Sequence, residues 1–370
     1  MINKSFLIRL IENYRYHLIY PFFHLSQKGV MPEGAPCKVE DPETATTHGD
    51  IVHPCVRYIK EGFEGHQWWM VYTPYYDGIK SIENPRLCYA DTKNGEVPTK
   101  WKFYSMINDT PKTGYNSDPT MLFYNGRLYI FWREVGTSRA KENGYEYATF
   151  GCYIDNGSIV RLSNNLLGEA DIITDRECCP TFINHKGLFR VYAMHLRFTP
   201  KWIYKIPSQI ASYLYRYKII DVLNALGIYN SLKCMGVAIW NGNSLEQPFI
   251  YYKTVKFKGT NHFFQPWHMD LFSAEGDSRM YAIVQTDRKF ANISLAYSRD
   301  GEQFHFYKKS LISGNKKGTN GLYKPTALVV DGKLYLFYTA RDCLDPKLNR
   351  LFVTSVDWQS LLGKISSRPE

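Results

Sequence analysis

Side chains able to exchange protons stand at the start of five similar segments in this 370-residue sequence. In chain order they are Asp50 and His53, then Asp118, then Glu177, then His268 and Asp270, then Tyr323 and Lys324. Carboxyl groups and imidazoles perform general acid–base catalysis, in which one group donates a proton and another accepts one. A merely structural channel would be apolar or lined with Ser and Thr. We therefore interpret this set as a functional site, although Asp-Pro and His-Pro are also ordinary turn starters.

A repeated unit positions these side chains. Its clearest copy, residues 116–134, contains a short apolar strand, the turn Asn125-Gly126 and a second strand whose side chains alternate between two faces. The units are marked by Pro54, Pro119, Pro180, Pro266 and Pro325, which lie 65, 61, 86 and 59 residues apart. Each unit continues into a third strand and, in the first four units, a weaker fourth one. The sequence leaves open whether the fifth unit borrows its outer strand from the N-terminal side or stays short.

A period of about sixty residues with four strands per unit predicts an all-β fold, a five-bladed β-propeller. A β-sandwich would show no regular period, and solenoid repeats are usually about 20–50 residues long. The first strand of each propeller blade lines the central channel. The side chains at the five repeat starts should therefore converge on one site.

Two segments do not follow the repeat. We predict an N-terminal helical extension and linker at residues 1–48, the propeller at residues 49–360, and a helical insertion in the third blade at residues 199–233. Helical spacing relates Phe6, Leu10, Tyr14 and Leu18 in the extension, and Ile206, Ile210, Leu214 and Tyr217 in the insertion. The extension is either a helix packed across the propeller or a membrane-surface helix. The insertion is either a lid or packing helix, or a contact to a membrane or partner.

Residues 1–30 carry a net charge of +3 and residues 199–233 a net charge of +4, and together these exceed half of the net charge of +10. The strands show no basic stripe and the sequence no nucleic-acid motif, so nucleic acid is not predicted as a partner. A peripheral membrane contact through residues 1–25 and 199–233 stays open. Charges interrupt the apolar residues of 1–25, which predicts neither secretion nor a spanning helix. The eight cysteines show no C-x-x-C pair, which favours reduced thiols and a cytoplasmic location, with the inner membrane face as an alternative.

The segments Ser117–Trp132 and Tyr323–Tyr338 resemble blades of the five-bladed propeller glycosidases, the family 43 glycoside hydrolases and their furanosidase relatives. The resemblance covers residues 49–358. It implies a carbohydrate partner and three acids on successive blades: a base that acts on water, an aspartate that tunes and orients, and a general acid. Asp118 matches the second of these.

The other two matches depart from the family pattern. His53 stands where the first-blade aspartate is expected, so the base would be His53 or Asp50. Glu177, which would be the general acid, lies three residues before Pro180, whereas the family has a separation of two. His268 is similar to a fourth-blade histidine with which family members hold water or a cation.

Further contacts to substrate are predicted from side chains near the repeat starts and at strand ends. A lysine in this set would contact an anionic group, and a tryptophan could stack on a sugar ring. The predicted substrate contacts are His268, Asp270, Lys324, Trp267, Arg133, Glu83 and Arg341. No cofactor is predicted, the linear sequence holds no spaced set of metal ligands, and a structural cation in the channel stays open.

Three functions fit these observations. The first is a glycoside hydrolase-like enzyme acting on a cell-surface or capsular glycan, with Asp118, Glu177 and either Asp50 or His53 as its acid–base set. The second is a non-catalytic propeller that binds glycans. The third is an accessory protein in glycosyl or phosphoglycosyl transfer at the inner membrane face. The exchange of an aspartate for histidine and lysine would suit an acidic or phosphorylated glycan.

Overall fold

The computed structural model describes residues 29–40, 49–92, 96–167, 177–198, 234–259, 266–286, 292–313, 321–342, 344–345 and 347–366. These residues form five β-sheets. The innermost strands of the sheets contact one another in a closed ring around the molecule. The protein is therefore a five-bladed β-propeller, as the repeat predicts. The helices predicted in residues 4–20 and 199–233 lie outside the described residues.

The first two blades follow two short strands. These are β1 (Ala35–Pro36) and β2 (Lys38–Glu40). Blade 1 contains β3 (Val52–Phe63), β4 (His66–Thr73), β5 (Arg86–Ala90) and β6 (Lys100–Met106), with two 3-10 turns, Tyr76–Gly78 and Lys80–Ile82, between β4 and β5. Blade 2 contains β7 (Tyr115–Tyr124), β8 (Arg127–Val135), β9 (Tyr147–Asp155) and β10 (Ser158–Arg161), with the short helix α1 (Ser138–Glu142) between β8 and β9.

The main strands of the remaining three blades are also antiparallel, and in blade 4 the short strand β15 pairs parallel with β19. Blade 3 contains β11 (Glu177–His185), β12 (Leu188–Phe198), β13 (Cys234–Gly242) and β14 (Ile250–Thr254). Blade 4 contains β15 (Lys256–Lys258), β16 (Pro266–Ser273), β17 (Met280–Thr286), β18 (Asn292–Ser298), β19 (Gln303–Phe306) and β20 (Ile312–Ser313). Blade 5 contains β21 (Tyr323–Val330), β22 (Lys333–Arg341) and β23 (Asn349–Asp357), and helix α2 (Trp358–Ser366) follows it.

The hairpin between the first two strands of a blade depends on a residue pair that tolerates left-handed backbone. At Asn125 and Gly126 the φ angles are 49° and 75°, which is the type I′ turn whose twist matches that of the flanking strands. Blades 1, 3 and 5 have the same positive-φ pairs. They are Glu64-Gly65, Lys186-Gly187 and Asp331-Gly332.

The ring is closed by residues from the N-terminal side of the propeller. Strand β1 pairs antiparallel with β23 and thereby completes blade 5, and β2 pairs parallel with β6 at the outer edge of blade 1. Just before them, the backbone N–H groups of Val30 and Met31 donate to Ser310 and Leu311 of blade 4. Residues 29–40, which we call the closing strap, therefore run along three blades. Residues 35–40 belong to the sheets, although the sequence analysis assigned them to the linker.

The hydrophobic core lies between neighbouring blades. One face of each sheet packs against the next sheet, so that aromatic side chains of adjacent blades meet. Phe131 of blade 2 and Phe182 of blade 3 stack with their ring centroids 3.7 Å apart. Helix α2 buries Trp358, Leu361 and Ile365 in the core between blades 4 and 5. No helix within the described residues is long and apolar enough to cross a membrane.

Candidate functional site

A backbone irregularity at the start of the inner strand recurs in four blades. The residue before the repeat proline has a positive φ angle there, and the pairing with the second strand shifts register across it. These residues and angles are His53 (53°), Asp118 (52°), Cys179 (54°) and Lys324 (26°). Non-glycine residues rarely adopt this conformation, and such strained positions cluster at functional sites. In blade 4 a register shift between Pro266 and His268 occupies the same place.

These irregular residues converge on the Asp118 carboxylate, which is 2% exposed. His53 Nε2 lies 3.3 Å from Asp118 Oδ1. The thiol of Cys179 donates to the same oxygen at 3.3 Å. Lys324 Nζ donates to the carbonyl oxygen of the next residue, Pro119, at 3.1 Å. We call His53, Asp118, Cys179, His268, Tyr323 and Lys324 the floor cluster.

Asp118 is an ionised carboxylate. Burial by itself would raise its pKa, but the positive charge of Arg133, the contact with His53 and the positive charge of Lys324 hold the pKa well below its ordinary value. Arg133 Nη2 lies 2.9 Å from Oδ2. This is an ion pair in contact rather than an aligned hydrogen bond, since Oδ2 has no hydrogen-bond partner within the described residues.

The two histidines of the floor cluster are neutral. Burial lowers the pKa of His53 to about 3, and it lowers the pKa of His268 well below its ordinary value. His53 Nδ1 contacts the Thr73 hydroxyl at 2.9 Å, and Nε2 contacts the Tyr323 hydroxyl at 3.2 Å. The tautomer with its hydrogen on Nε2 would place that hydrogen near the oxygens of Asp118 and Tyr323 and would let Nδ1 accept from Thr73. His53 therefore orients Asp118 and does not act as a cation.

His268 lies inside an aromatic frame. Its ring centroid is 4.5 Å from that of Tyr323, 5.6 Å from that of Trp267 and 6.0 Å from that of His53. The side chain is 1% exposed, and neither ring nitrogen has a hydrogen-bond partner within the described part of the chain. Buried polar groups are normally hydrogen-bonded.

A second carboxyl group lies beside Asp118. Glu83 follows the 3-10 turn Lys80–Ile82, and the backbone N–H of Asn116 donates to the Glu83 carbonyl oxygen, which fixes the loop against blade 2. Burial and the negative charge of Asp118 raise the pKa of Glu83 to about 8, against opposing contributions that include the charge of Arg133 and a hydrogen bond with Ser117. Glu83 is therefore protonated at neutral pH while Asp118 is not.

Asp270 makes an ion pair with Arg57 and a hydrogen bond with Thr326, and we call this set of contacts the interblade brace. It accepts from Arg57 Nη1 at 3.1 Å and from Nη2 at 2.9 Å. The Thr326 hydroxyl donates to it at 2.5 Å. The brace joins blades 1, 4 and 5, and the charge of Asp270 raises the pKa of Arg57 despite burial. Its contacts describe a structural pairing, and its predicted role as a substrate contact stays a prediction.

Asp50 also has structural partners. Its carboxylate accepts from the backbone N–H groups of Tyr75 and Asn349, each at 2.6 Å, and from Asn349 Nδ2 at 2.9 Å. It thus ties blade 1 to β23 of blade 5. No hydrogen bond or ion pair joins Asp50 to the floor cluster within the described residues. Of the two predicted bases, the structure brings only His53 to Asp118.

Of the other predicted residues, some lie in the site and others do not. Trp267 is 8% exposed and meets the edge of His268, and Arg133 is in the site. Arg341 is exposed at the end of β22. Glu177 begins β11 and pairs through its backbone with His195, but its side chain lies outside the described part of the structure.

Cys179 is a site residue that the sequence predicts only as one of eight reduced thiols. Its signal was its place directly before Pro180, which matches His53 before Pro54 and Asp118 before Pro119. Asp118, Cys179 and His268 each offer an atom suited to a metal, and these three atoms lie within 4.8 Å of one another.

Several solved structures share this architecture. An N-acetylgalactosamine deacetylase from F. plautii, in complex with blood group B trisaccharide, aligns with a TM-score of 0.65 over 90% of this chain and 97% of its own, at 13% identity. A family 43 β-xylosidase/α-arabinofuranosidase from a compost metagenome, in its calcium-free form and in complex with xylotriose, aligns with a TM-score of 0.56 over 88% of this chain and 94% of its own, at 11% identity. Zg3597, a family 117 glycoside hydrolase from Zobellia galactanivorans, aligns with a TM-score of 0.54 over 88% of this chain and 90% of its own, at 13% identity.

These likenesses concern the fold. At 11–13% identity they establish the five-bladed architecture, so the resemblance to family 43 propellers found in two sequence segments is confirmed at the level of fold. No family model matches the sequence, and no curated protein matches it either.

Proposed function

We propose that the protein is a glycan hydrolase whose reacting groups are Asp118 and Glu83 at the floor of the propeller channel. One feature carries this proposal: two buried carboxyl groups lie in one site, and their surroundings shift their pKa values in opposite directions. Environments that push two pKa values apart separate an acid from a base. The charge of Arg133 favours ionisation of both groups, but at Glu83 burial and the neighbouring Asp118 carboxylate outweigh it and favour the proton.

The different roles of the two carboxyl groups follow from these environments. Glu83 donates its proton to the oxygen of the leaving group, as a carboxyl group with a raised pKa does in glycoside hydrolysis. Asp118, fixed by Arg133 and His53, is the anion that holds the attacking water or balances positive charge on the sugar ring. This assignment replaces Glu177 by Glu83 as the proton donor and leaves His53 as a positioning residue.

The substrate class rests on likeness. The three solved neighbours are a sugar deacetylase bound to a trisaccharide, a xylosidase bound to xylotriose and a glycoside hydrolase, so carbohydrate is the common ligand class. A cell-surface or capsular glycan is our proposal for this chain. The buried Lys324 beside Asp118 favours a glycan with an anionic group.

The test is hydrolysis of a glycan panel that includes neutral, uronic-acid and phosphorylated saccharides. Asp118→Asn and Glu83→Gln should each lower kcat by about 10²–10⁴-fold, which is the usual contribution of general acid–base catalysis. Glu142→Gln, an exposed glutamate on α1, is the matched control and should keep wild-type activity. Circular dichroism checks that each variant is folded.

Two results would count against this assignment. If Glu83→Gln hydrolyses glycans at the wild-type rate, Glu83 is not the proton donor. If the wild type binds glycans but releases no sugar from any of them, the non-catalytic binding function is favoured. A cytoplasmic location stays a proposal from the cysteine pattern, and a membrane contact through residues 1–25 and 199–233 stays a proposal from the charge pattern.

A further inference from the structure

We infer that Asp118, Cys179 and His268 form a binding site for a divalent transition-metal ion of the zinc class. The three residues come from the inner strands of blades 2, 3 and 4, so the ring itself assembles the site. The inference concerns metal binding alone and holds whether or not the protein hydrolyses glycans.

The first support is the spacing of the donor atoms. One carboxylate oxygen, one sulfur and one imidazole nitrogen lie within 4.8 Å of one another. The Cys179 sulfur and Asp118 Oδ1 are 3.3 Å apart. A tetrahedral zinc ion with Zn–S and Zn–O bonds of about 2.3 Å and 2.0 Å places its sulfur and oxygen ligands about 3.5 Å apart. The distance between the sulfur and the oxygen is therefore close to the distance between two ligands of one zinc ion.

The second support is the side chain of His268. Its ring is 1% exposed, and both nitrogens lack a hydrogen-bond partner within the described residues. A neutral imidazole is the form that binds metals. A metal ion would satisfy one of these nitrogens, and the aromatic rings of Trp267 and Tyr323 would fix the imidazole plane.

The donor chemistry selects the class of ion. Calcium takes six to eight oxygen ligands, whereas sulfur and nitrogen donors favour zinc and related transition metals. Asp118 offers Oδ1 to the site, because Oδ2 faces Arg133. Calcium, which the name of one solved neighbour mentions, does not fit this set. One carboxylate and one thiolate also balance the two charges of the ion.

Within the described residues the site has three protein ligands, which matches a zinc site that keeps an open position. Three protein ligands with a fourth place for water or substrate are typical of catalytic zinc, whereas structural zinc has four protein ligands. His53 lies 3.3 Å from the same carboxylate oxygen. Such outer groups orient metal ligands in many sites.

The experiment uses the full chain, stripped with a chelator and then titrated with Co²⁺ and with Zn²⁺. We expect one ion per chain, a thiolate-to-cobalt charge-transfer band, displacement of Co²⁺ by Zn²⁺, and no displacement by millimolar Ca²⁺. Cys179→Ala should abolish the band and weaken Zn²⁺ binding by at least ~100-fold, since loss of an outer-shell partner alone costs 10–100-fold. Cys152→Ala, a buried cysteine in the core between blades 1 and 2, is the control and should bind as the wild type does.

A second variant guards against misfolding. His268→Gln keeps the thiol and should show a weaker affinity with a shifted cobalt spectrum. The inference is overturned if the stripped wild type takes up no Co²⁺ or Zn²⁺, or if Cys179→Ala binds Zn²⁺ with wild-type affinity. Either result would leave the Cys179 thiol as a hydrogen-bond donor to Asp118 and nothing more.

Discussion

At the scale of single residues, the position before a proline decides what the channel contains. A left-handed backbone at this position carries histidine, aspartate, cysteine or lysine in blades 1, 2, 3 and 5. The residue before proline avoids the right-handed helical region, and the register shift leaves it unpaired in the ladder. The sequence therefore reveals the set of positions, because the proline marks each of them.

What the sequence could not reveal is the protonation state of each group. Asp118 was identified by its motif, but Glu83 was assigned only to substrate contact, since it lies on a loop with no repeat signature. Its raised pKa arises from burial and from a carboxylate 35 positions away in the sequence. Burial and through-space charge are properties of the folded ring, so no local pattern encodes them.

The pH dependence of activity should show the loss of the Glu83 proton. A proton donor with a pKa of about 8 is active below that pH and loses its proton above it. We expect kcat to fall as pH rises through about 8, and this limb of the profile should be absent from the residual activity of Glu83→Gln. The groups around Glu83 that oppose or favour its proton are Asp118, Arg133, Ser117 and Lys80. A rate that stays constant from pH 6 to about pH 10 would contradict this role.

At the scale of elements, the sequence predicts local hairpins more easily than long-range contacts between blades. The Asn125-Gly126 turn and the strands around it are local, so propensity and alternation find them. The pairing of Arg57 with Asp270 joins residues 213 positions apart, and only closure of the ring brings them together. For the same reason the sequence left open how blade 5 obtains its fourth strand, which the closing strap supplies.

The closing strap should be sensitive to added volume at Gly29. A Cβ atom there would lie 2.7 Å from the Leu311 carbonyl oxygen and 2.8 Å from the Ile312 Cα, both backbone atoms. Gly29→Ala should lower the free energy of unfolding by about 1–3 kcal/mol, the usual cost of overpacking. Gly363→Ala is the control, since nothing lies within 4 Å of its Cβ position on helix α2. That variant should gain up to about 1 kcal/mol from helix propensity. Urea unfolding measures both, and equal stability of the two variants would refute the close packing.

At the scale of the whole molecule, the blades are held together around the channel by buried polar contacts as well as by aromatic packing. The Arg57–Asp270 pair, with side chains 15% and 6% exposed, connects blades on opposite sides of the ring closure. In the floor cluster, polar contacts of His53, Asp118, Cys179, Tyr323 and Lys324 join blades 1, 2, 3 and 5. Site and scaffold are therefore built from the same strand starts.

The interblade brace can be tested by a matched pair of aspartate variants. Asp270→Asn removes the charge that compensates buried Arg57 and should cost about 3–5 kcal/mol of stability, as the breaking of a buried ion pair does. Asp77→Asn breaks an exposed pair with Lys347, whose side chains are 47% and 56% exposed, and should change stability by less than about 1 kcal/mol. Chemical denaturation compares them. Equal losses of stability in the two variants would show that the buried Arg57–Asp270 pair stabilises the protein no more than the exposed pair does.

The closing strap also sets an order of events during synthesis. Residues 29–40 leave the ribosome before any blade does, yet their partners in blades 4 and 5, Ser310, Leu311 and strand β23, are made near the end. Until then blade 5 does not exist and the strap has unpaired backbone groups of the kind that attract other strands. Nascent chains that stall before residue 349 should therefore be more prone to aggregate than the complete ring.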